Sequence, residues 1–377
     1  MENERKCEYR RKCGACQTLN LSYEEELSLK MKREIALLGR FGHVSEIIPS
    51  SPSGHYRNKA QYLFRFESGR IRSGLYRSSD NGIADIDSCL MEDEEITAIY
   101  SRVRKLVRKY GVKVFDGRRG DLRHVMIRKA VRTGEISVTF VTFGGHFAGE
   151  AKLADELISA HPGIVTVTEV KNDTGIPLWM EGEEHIIRGP GYITDMLCGR
   201  SFRIPPKAFY QINPYSTEKL YEKAAEFAAV RASDRVLDAY CGIGTVGITA
   251  VSKNGCAGIE GFDVNRDAVE TARINAESNG IGNSGYRCVS DSRYVLKQAG
   301  KFDVVLTDPP RSGCDRNFIN TLLSLDPERI VYISCDPESL ARDLNILKKR
   351  YEVRKIQPVD MFPGTTHVET VVLITKM

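Results

Sequence analysis

Residues 235–245 read Arg-Val-Leu-Asp-Ala-Tyr-Cys-Gly-Ile-Gly-Thr, and this stretch decides the fold of the C-terminal half of the chain. Its first residues form a short run typical of a buried strand, and two glycines, Gly242 and Gly244, follow before a second apolar run. Glycine between a strand and a helix lets the backbone approach a ligand closely. The stretch therefore predicts a strand, a turn that contacts a ligand, and a helix.

Strands and helices alternate on both sides of this turn. The predicted elements are helix 217–230, strand 258–263, helix 266–279, strand 285–289, strand 302–307, strand 329–334 and helix 337–347. Such alternation predicts βαβ units around a parallel sheet. Two strand-like runs, 353–358 and 368–375, have no helix between them and are expected to close the sheet as an antiparallel pair. We therefore predict an α/β, doubly wound, Rossmann-like domain over residues 206–377.

The first 205 residues have a different character. Residues 1–90 begin with a cysteine-rich stretch, followed by a predicted amphipathic helix over 23–41 and by short alternating segments typical of strands. The apolar stripe of that helix consists of Leu27, Met31, Ile35 and Leu38. Residues 91–205 combine a helix with further strand-like runs. We predict that residues 91–205 form a central α+β domain.

The composition is that of a globular protein with more than one domain. The chain has 377 residues, of which 41% are hydrophobic and 28% charged, and it is longer than one hydrophobic core supports. No apolar run approaches the roughly 20 residues that span a bilayer. The segment 1–12 lacks the apolar core of a signal peptide. We therefore expect a cytoplasmic protein with no membrane partner.

The positive charge is concentrated in one segment. Residues 101–132 hold twelve Lys or Arg and two Asp or Glu, although the formal net charge of the whole chain is only +4. A concentrated basic segment favours a polyanionic partner such as nucleic acid. A solvated helix face would produce the same pattern, so charge alone does not decide between the two.

Acidic residues are predicted to end three successive strands of the sheet. Asp263 lies 21 residues after Gly242, where a carboxylate usually accepts ribose hydroxyls. Asp291 ends the third strand, where an adenine amino group would be read. Asp308-Pro-Pro-Arg311 ends the fourth strand, and its prolines hold the backbone rigid at the edge where ligands bind. A dinucleotide dehydrogenase would share the first two features, whereas Asp-Pro-Pro favours methyl transfer from S-adenosylmethionine.

Cys335 ends the next predicted strand, and Glu369 begins the last one. A cysteine near a helix N-terminus can have a lowered pKa, and its thiolate can add to carbon 6 of a pyrimidine, which makes carbon 5 nucleophilic. A base must then remove the proton on carbon 5; we predict Glu369 for this role, with His367 as the alternative. A structural role would explain Cys335 alone, but the combination with Asp308 and Glu369 favours catalysis.

Taken together, these motifs resemble the bacterial RNA uracil-5-methyltransferases, especially those of 23S ribosomal RNA. The similar motifs are Cys7-x5-Cys13-x2-Cys16 with Cys89, Tyr56-Arg-Asn-Lys59, Phe209-Tyr-Gln-Ile-Asn213, the Gly-rich turn, Asp308-Pro-Pro-Arg311, Ser334-Cys-Asp-Pro337 and His367-Val-Glu369. The resemblance implies a class I methyltransferase domain with Cys335 as nucleophile and Glu369 as base. It also implies that S-adenosylmethionine is bound by Gln211, Tyr240, Gly242, Gly244, Thr245, Asp263, Asp291 and Asp308. Many relatives carry Glu at the position of Asp263, which weakens the prediction there.

The expected substrate is a uridine of 23S ribosomal RNA, because an accessible loop base can be splayed into a pocket. Phe209 is suited to stack on such a base, although it would equally suit packing at a domain junction. Further RNA contacts are predicted at Arg57, Lys59, Arg123 and Arg128. The alternatives are a transfer-RNA T-loop uridine methyltransferase and a non-catalytic RNA-binding or assembly factor. We expect the protein to be a monomer.

Cys7, Cys13 and Cys16 lie close together in the sequence, and Cys89 follows 73 residues after Cys16. Four thiolates can hold a [4Fe–4S] cluster or a tetrahedral zinc ion, and their spacing does not choose between them. The resemblance implies a structural [4Fe–4S] cluster, because the ribosomal-RNA members carry one there, and zinc is the alternative. Since only six residues precede Cys7, we expect this chain to lack the N-terminal TRAM β-barrel of larger relatives.

Overall fold

The computed structural model describes residues 6–80, 82–173, 180–290 and 301–377. The chain divides into two compact units. The N-terminal unit consists of Met1–Asn20, Pro52–Met196 and Arg203–Lys207, and the C-terminal unit consists of Leu21–Ser51, Leu197–Phe202 and Ala208–Met377. This division differs from the predicted boundaries at 90/91 and 205/206. Most of residues 1–205 form one unit, while the segment that contains the first helix belongs to the other.

The helices and strands follow one another along the chain as α1 (Tyr23–Leu38), β1 (Lys59–Glu67), β2 (Arg70–Tyr76), β3 (Ile83–Asp85), α2 (Glu94–Lys109), β4 (Leu122–Lys129), β5 (Ile136–Thr142), α3 (Glu150–Ala160), β6 (Ile164–Lys171), β7 (Glu183–Arg188), β8 (Ile193–Leu197), β9 (Arg200–Ile204), α4 (Pro214–Ala228), β10 (Arg235–Ala239), α5 (Thr245–Val251), β11 (Gly258–Asp263), α6 (Arg266–Ser278), β12 (Ser284–Cys288), β13 (Val304–Thr307), α7 (Arg316–Leu325), β14 (Arg329–Ser334), α8 (Pro337–Leu347), β15 (Tyr351–Val359) and β16 (Glu369–Lys376). Strands β8 and β9 form a two-stranded sheet of their own. None of the described helices is both long enough and apolar enough to cross a membrane.

The N-terminal unit is built on a seven-stranded sheet with the order β3-β2-β1-β4-β5-β6-β7. Neighbouring strands are antiparallel except β5 and β6, which run parallel and are connected through α3. The side chains of β5 are buried along its whole length. Helices α2 and α3 bury apolar side chains such as Val103 and Leu153 in the same core as Phe140. This unit is therefore a mixed sheet with a helical cover, consistent with the predicted α+β character.

The C-terminal unit contains the predicted Rossmann-like sheet, with the order β12-β11-β10-β13-β14-β16-β15. Its first five strands are parallel, and β16 is antiparallel to both β14 and β15. The prediction of an antiparallel pair that closes a parallel sheet is confirmed. The carboxyl ends of β10, β11, β13 and β14 meet at one edge of the sheet. Parallel pairing therefore brings together the residues at or just after these ends: Tyr240, Asp263, Asp308 and Cys335.

Helix α1 belongs to the C-terminal unit and buries a different face from the one that its apolar pattern predicts. Of the predicted stripe only Leu38 is fully buried, and Ile35 is 53% exposed. The buried residues on the other turns are Glu26, Lys30 and Glu34. The predicted apolar face is therefore only partly correct: Leu38 and Met31 pack against the apolar core, whereas the other buried positions carry charged side chains whose partners lie more than 300 residues away.

The ammonium group of Lys30 joins two buried carboxylates. Its Nζ lies 2.7 Å from Glu26 Oε1 and 2.8 Å from Asp360 Oδ1. Glu26 in turn accepts a hydrogen bond from the backbone N–H of Gly364, and Asp360 accepts one from the hydroxyl of Tyr23. These bonds fix the segment between β15 and β16, which leads directly to Glu369.

Candidate active site

The Gly-rich turn after β10 adopts an unusual backbone conformation. Tyr240 has φ +60°, Gly242 has φ +52° and Gly244 has φ +84°. The left-handed region costs a residue other than glycine about 1–3 kcal/mol, so Tyr240 stores strain next to the two glycines. A Cβ built on Gly242 would meet no atom of the described residues within 4 Å. Open space therefore lies over the turn, as close approach of a ligand to the backbone requires.

Asp263, at the end of β11, is held against this turn. Its Oδ2 accepts a hydrogen bond of 3.0 Å from the backbone N–H of Gly242, and its Oδ1 accepts one of 2.9 Å from the N–H of Asn265. Each carboxylate oxygen has a second lone pair and can accept a further bond. Despite being one methylene shorter than glutamate, Asp263 is thus oriented by the turn, as a ribose-binding carboxylate would be.

Asp238 lies beneath the turn and is not one of the predicted site residues. Its Oδ2 accepts a hydrogen bond of 3.1 Å from the N–H of Gly247. Burial, assisted by the negative charges of Asp308 and Asp263, raises the pKa of Asp238 to about 7. The signal in the sequence is an acidic residue inside an otherwise apolar strand just before the Gly-rich turn.

Cys335 and Glu369 lie at the same end of two neighbouring strands. Ser334 at the end of β14 pairs with Thr370 of the antiparallel β16. Cys335 is the next residue after Ser334, and Glu369 is the residue before Thr370, so the register brings the predicted nucleophile and base to adjoining positions. The negative charges of Glu369 and Asp308 both act on the Cys335 thiol. The three predicted catalytic and cofactor groups therefore form one cluster.

The predicted lowering of the Cys335 pKa is wrong for this structure. Burial raises the pKa of the thiol to about 12, and the charges of Glu369, Asp308 and Asp336 act in the same direction. The N-terminus of α8 follows directly at Pro337, yet burial and the three carboxylates give the net upward direction of the shift. The thiol is therefore protonated at neutral pH in this state.

Glu369 is also shifted towards its neutral form. It is buried, and burial together with the charges of Asp308 and Glu34 raises its pKa well above the usual value. Burial likewise raises the pKa of Asp308 to about 7. The Oε2 atom of Glu369 has no hydrogen-bond partner within the described parts of the chain. A buried carboxyl oxygen without a partner is costly, which is expected where a substrate or water completes the site.

Two further residues of this cluster were missed by sequence reasoning. The hydroxyl of Tyr221, on α4, lies 3.3 Å from Thr245 Oγ1, and its pKa is raised by burial and then by Asp308 and Glu369. Glu34, on α1, accepts a hydrogen bond of 2.8 Å from the hydroxyl of Thr370. Neither residue belongs to a recognisable motif, and a glutamate in a charged helix gives no signal that it is buried.

The Phe209–Asn213 motif separates into exposed and buried parts. Phe209 is 66% exposed, whereas Gln211 is buried. The side-chain amide of Asn213 donates a hydrogen bond of 3.0 Å to the backbone oxygen of Met361, which links the start of α4 to the segment before Glu369. Because it is exposed, the Phe209 ring is available for stacking. The hydrogen bond to Met361 explains why the motif ends with a polar residue, Asn213.

His367 is half-buried beside the ring of Phe362, and the two ring centroids are 6.4 Å apart. Burial, together with the positive charge of Arg311, lowers its pKa. A neutral imidazole can accept a proton, so the alternative of His367 as the base stays open on this observation. Asp291, which was predicted to contact the cofactor, lies outside the residues that the structure describes.

The four N-terminal cysteines line one apolar pocket of the N-terminal unit. None of the four forms a disulfide bond. Their apolar neighbours in the pocket include Leu19, Leu75, Ile86, Leu90 and Met91. Burial raises the pKa of Cys89 to about 12 and also raises that of Cys13. Four thiols without disulfide partners around one pocket fit a metal centre, because metal coordination would supply the positive charge that stabilises their thiolates.

Arg57, which was predicted to contact RNA, lies beside this pocket. Its guanidinium interacts electrostatically with Cys16 and Cys89, and its backbone N–H donates a hydrogen bond to the oxygen of Met91. This arrangement supports a role in stabilising thiolates and argues against a contact with RNA phosphate.

The other three predicted RNA contacts are also less available than expected. Arg128 is only 2% exposed, and its guanidinium donates to the backbone oxygen of Pro205, so the prediction of a surface contact is not supported. Lys59 is half-buried, and burial with the nearby charge of Arg128 lowers its pKa to about 7. Arg123 donates to the backbone oxygen of Asn172. These side chains therefore lie against other parts of the unit.

Acidic residues from other segments neutralise much of the basic segment 101–132. The ion pairs are Arg102 and Lys109 with Glu156, Arg104 with Asp85 and Asp87, and Lys129 with Asp93 and Glu95. A second group of cations in this segment is exposed and forms no ion pair with described residues: Lys105, Arg108, Lys113, Arg118 and Arg119. Three of them, Arg108, Lys113 and Arg119, line a groove of about 470 Å³ together with Phe66, which is 45% exposed.

Comparison with protein families gives a match over residues 186–377. The matching family is described as tRNA (Uracil-5-)-methyltransferase. An uncharacterized RNA methyltransferase of Staphylococcus aureus (strain COL) is 36% identical over 380 residues, which covers 97% of this chain and 83% of that protein. An uncharacterized RNA methyltransferase of Clostridium tetani (strain Massachusetts / E88) is 34% identical over 380 residues, with 98% and 82% covered.

A solved structure is similar over most of the chain. It is the tRNA (uracil-54, C5)-methyltransferase of Pyrococcus abyssi in complex with S-adenosyl-L-homocysteine. The TM-score is 0.81 and the sequence identity is 28%, and the match covers 96% of this chain and 86% of that one. The similarity therefore extends over both compact units and is not confined to the Rossmann-like sheet.

Proposed function

The chain belongs to the tRNA (uracil-5-)-methyltransferase family of RNA methyltransferases, and on that premise we propose that it methylates carbon 5 of a uridine in 23S ribosomal RNA. As a member of the family it uses S-adenosylmethionine as methyl donor. The single observation that carries the proposed chemistry is the cluster of Cys335, Glu369 and Asp308 at one edge of the sheet.

The proposed reaction has three steps. The Cys335 sulfur adds to carbon 6 of the uracil, and the electron pair of the 5,6 double bond moves towards carbon 5 and the carbonyl oxygen at position 4. Carbon 5 then attacks the methyl group that bound S-adenosylmethionine would supply, and S-adenosylhomocysteine would leave with the electron pair of the broken sulfur–carbon bond. Glu369 removes the remaining proton from carbon 5, and the bond between sulfur and carbon 6 breaks as the double bond forms again.

The protonation states of the cluster impose a condition on this reaction. Both the thiol of Cys335 and the carboxyl of Glu369 have raised pKa values, so each must lose a proton before it can act. S-adenosylmethionine would supply the methyl group and one positive charge. A cation beside Asp308 would lower the pKa of each neighbouring acidic group, which would prepare the nucleophile and base only when the donor is bound.

Several residues are suited to hold the donor. Asp263 is oriented by the Gly-rich turn, and the space over Gly242 is open with respect to the described residues. Gln211 and Thr245 are buried polar residues of the same unit. We propose that these residues, with Tyr240, Gly244, Asp291 and Asp308, form the donor site.

We propose that the four N-terminal cysteines hold a [4Fe–4S] cluster with a structural role. The four cysteines line one pocket, and the resemblance of the cysteine set to that of the ribosomal-RNA enzymes supports an iron–sulfur cluster over zinc. Arg57 beside Cys16 and Cys89 would balance part of the negative charge of the cluster.

Two surfaces are proposed to contact RNA. In the N-terminal unit, the groove with Phe66, Arg108, Lys113 and Arg119 combines an exposed ring with cations that no described residue pairs, which is the combination that binds single-stranded RNA. In the C-terminal unit, the exposed ring of Phe209 is proposed to stack on an unpaired base. We propose these two surfaces as RNA contacts in place of Arg128, which is buried.

Transfer RNA is the second candidate substrate. The matching family is described by its action on transfer RNA, and the solved relative from Pyrococcus abyssi methylates uracil-54 of transfer RNA. The proposal of 23S RNA depends on the resemblance of the cysteine set to ribosomal-RNA enzymes. Since the chemistry is the same for both, only a substrate assay separates them.

The test uses protein purified without oxygen. The protein is incubated with methyl-labelled S-adenosylmethionine and with deproteinised 23S RNA or transfer RNA, while its visible spectrum and iron content are measured. We expect label in 23S RNA and the broad visible absorbance of an iron–sulfur cluster. Label only in transfer RNA would overturn the substrate, and stoichiometric zinc without iron would overturn the cluster.

Variants test the chemistry separately from the substrate. Cys335→Ala is expected to abolish methylation while still binding S-adenosylmethionine. Glu369→Gln is expected to accumulate a covalent RNA adduct, because the proton on carbon 5 cannot leave. Cys288→Ala, which changes an exposed cysteine of the same unit, is the matched control. Normal turnover by Glu369→Gln would show that another residue is the base.

A further inference from the structure

The N-terminal unit contains a second group of metal-ligating side chains, far in sequence from the four cysteines. His146 lies in the loop before α3, Glu150 is the first residue of α3, and His185 lies on β7. One ligand atom from each of the three residues lies within 4.8 Å of the other two. The imidazole rings of His146 and His185 meet edge to face with centroids 4.6 Å apart. Three separate elements thus direct two imidazoles and a carboxylate to one point.

A buried carboxylate on the sheet contacts the same group of side chains. The side chain of Glu169, on β6, is only 2% exposed, and its Oε2 lies 3.2 Å from Nδ1 of His146. Its Oε1 accepts a hydrogen bond of 2.6 Å from the hydroxyl of Thr142. Nδ1 of His146 is also 3.1 Å from Oε1 of Glu150. The histidine is therefore held between two carboxylates, one of which is removed from water.

The charge of this group is not balanced by a permanent cation. Within the described chain, no lysine or arginine forms an ion pair with Glu150 or Glu169, and the neighbouring Lys171 is paired with Asp173. Burying a carboxylate without a cation is costly. A divalent metal ion would balance the charges of both carboxylates.

We propose that His146, Glu150 and His185 bind a divalent metal ion of the zinc class, with Glu169 positioning His146. Two imidazoles and a carboxylate suit Zn²⁺ or Co²⁺, which take nitrogen at about 2.0–2.1 Å and carboxylate oxygen at about 2.0–2.2 Å. Because Glu169 holds Nδ1 of His146, the other ring nitrogen, Nε2, would be the metal ligand. A carboxylate bonded to a metal-binding histidine is a common way to orient that ligand. His146 and His185 are both exposed, so the ion can enter from solvent and water can complete its coordination.

The proposed ion would join α3 to β7, which are otherwise connected by packing and by the ion pair of Asp155 with Arg188. Its role would be structural in the N-terminal unit. The proposal does not depend on methyltransferase activity, because it concerns residues that take no part in the proposed reaction.

The experiment uses the full-length protein with its cysteine site loaded, and Co²⁺ as the probe. In the difference spectrum against the cobalt-free loaded protein, cobalt bound by nitrogen and oxygen gives visible bands without the intense near-ultraviolet absorption of cobalt bound by cysteine sulfur, so the two sites are distinguished. We expect one Co²⁺ per chain with the nitrogen–oxygen spectrum, displaced by one equivalent of Zn²⁺.

The variants decide whether these residues are the ligands. His185→Ala and Glu150→Gln are expected to weaken Zn²⁺ binding by at least about 100-fold, and Glu169→Gln by about 10–100-fold, as for positioning groups in other metal sites. His161→Ala, at the other end of α3, should bind Zn²⁺ like the wild type. Wild-type affinity in His185→Ala, or cobalt bound only through sulfur, would refute the site.

Discussion

Replacing Lys30 by methionine tests the polar packing of α1 most directly. Lys30 lies between Glu26 and Asp360, at 2.7 and 2.8 Å, and the three side chains are at most 1% exposed. Methionine has a similar volume but no charge, so the variant leaves two buried carboxylates without their cation. Removing one partner of a buried ion pair costs about 3–5 kcal/mol of the free energy of unfolding. In a unit of this size that corresponds to a fall in Tm of about 6–20 °C.

The matched control is Arg33→Ala on the same helix. Arg33 forms an exposed ion pair with Glu338 at 3.2 Å, and such pairs contribute at most about 1 kcal/mol. The assay is thermal and urea unfolding of both variants, followed by circular dichroism and by the fluorescence of the chain. If Lys30→Met is no less stable than Arg33→Ala, the buried triad does not anchor α1 and the reasoning fails.

Three further predictions concern the site and the RNA surface. Alkylation of Cys335 should accelerate as the pH rises towards about 12, because burial and the carboxylates, Asp308 among them, raise its pKa; a rate that is constant above pH 8 would contradict this. Burial raises the pKa of Glu34 to about 7, so the folded state holds a proton that the unfolded state has already released. As the pH rises from 4.5 to 8, the free energy of unfolding of the wild type should therefore fall by about 3 kcal/mol relative to that of Glu34→Gln. A difference between the two proteins that does not change with pH would refute this prediction. Charge reversal of Arg108, Lys113 and Arg119 should weaken RNA binding and reduce the slope of log K against log salt by about 0.7 per lost contact with single-stranded RNA. Arg102→Ala, which changes a cation already paired with Glu156, should leave that slope unchanged.

Local patterns predicted the C-terminal sheet and the position of its ligand-binding edge. A strand, a Gly-rich turn and a helix follow each other in 235–251, and the motif residues lie at the end of their strands or directly after them. Short-range patterns of this kind determine which residues a parallel sheet places at one edge. Asp263, Asp308 and Cys335 are together for that reason.

Interactions between distant segments account for what the sequence did not predict. The buried face of α1 depends on Asp360, and the partners of the basic segment lie in 85–95 and at Glu156. The pKa of Cys335 depends first on burial and then on the charges of Glu369, Asp308 and Asp336, two of which belong to other strand ends. No pattern within one segment contains this information, because each effect belongs to a pair of segments.

The order of strands at the end of the sheet also has a consequence for how the protein is made. Strand β16 follows β15 in the chain but lies between β14 and β15. Until β16 pairs with β14, the edge of β14 has unpaired backbone N–H and C=O groups and exposes apolar side chains that are buried in the complete sheet. Such edges pair readily with other chains. The residue that begins β16 is Glu369. The nascent chain therefore acquires its proposed base in the same event that removes its aggregation-prone edge, so a molecule that fails to complete the sheet is also an inactive one.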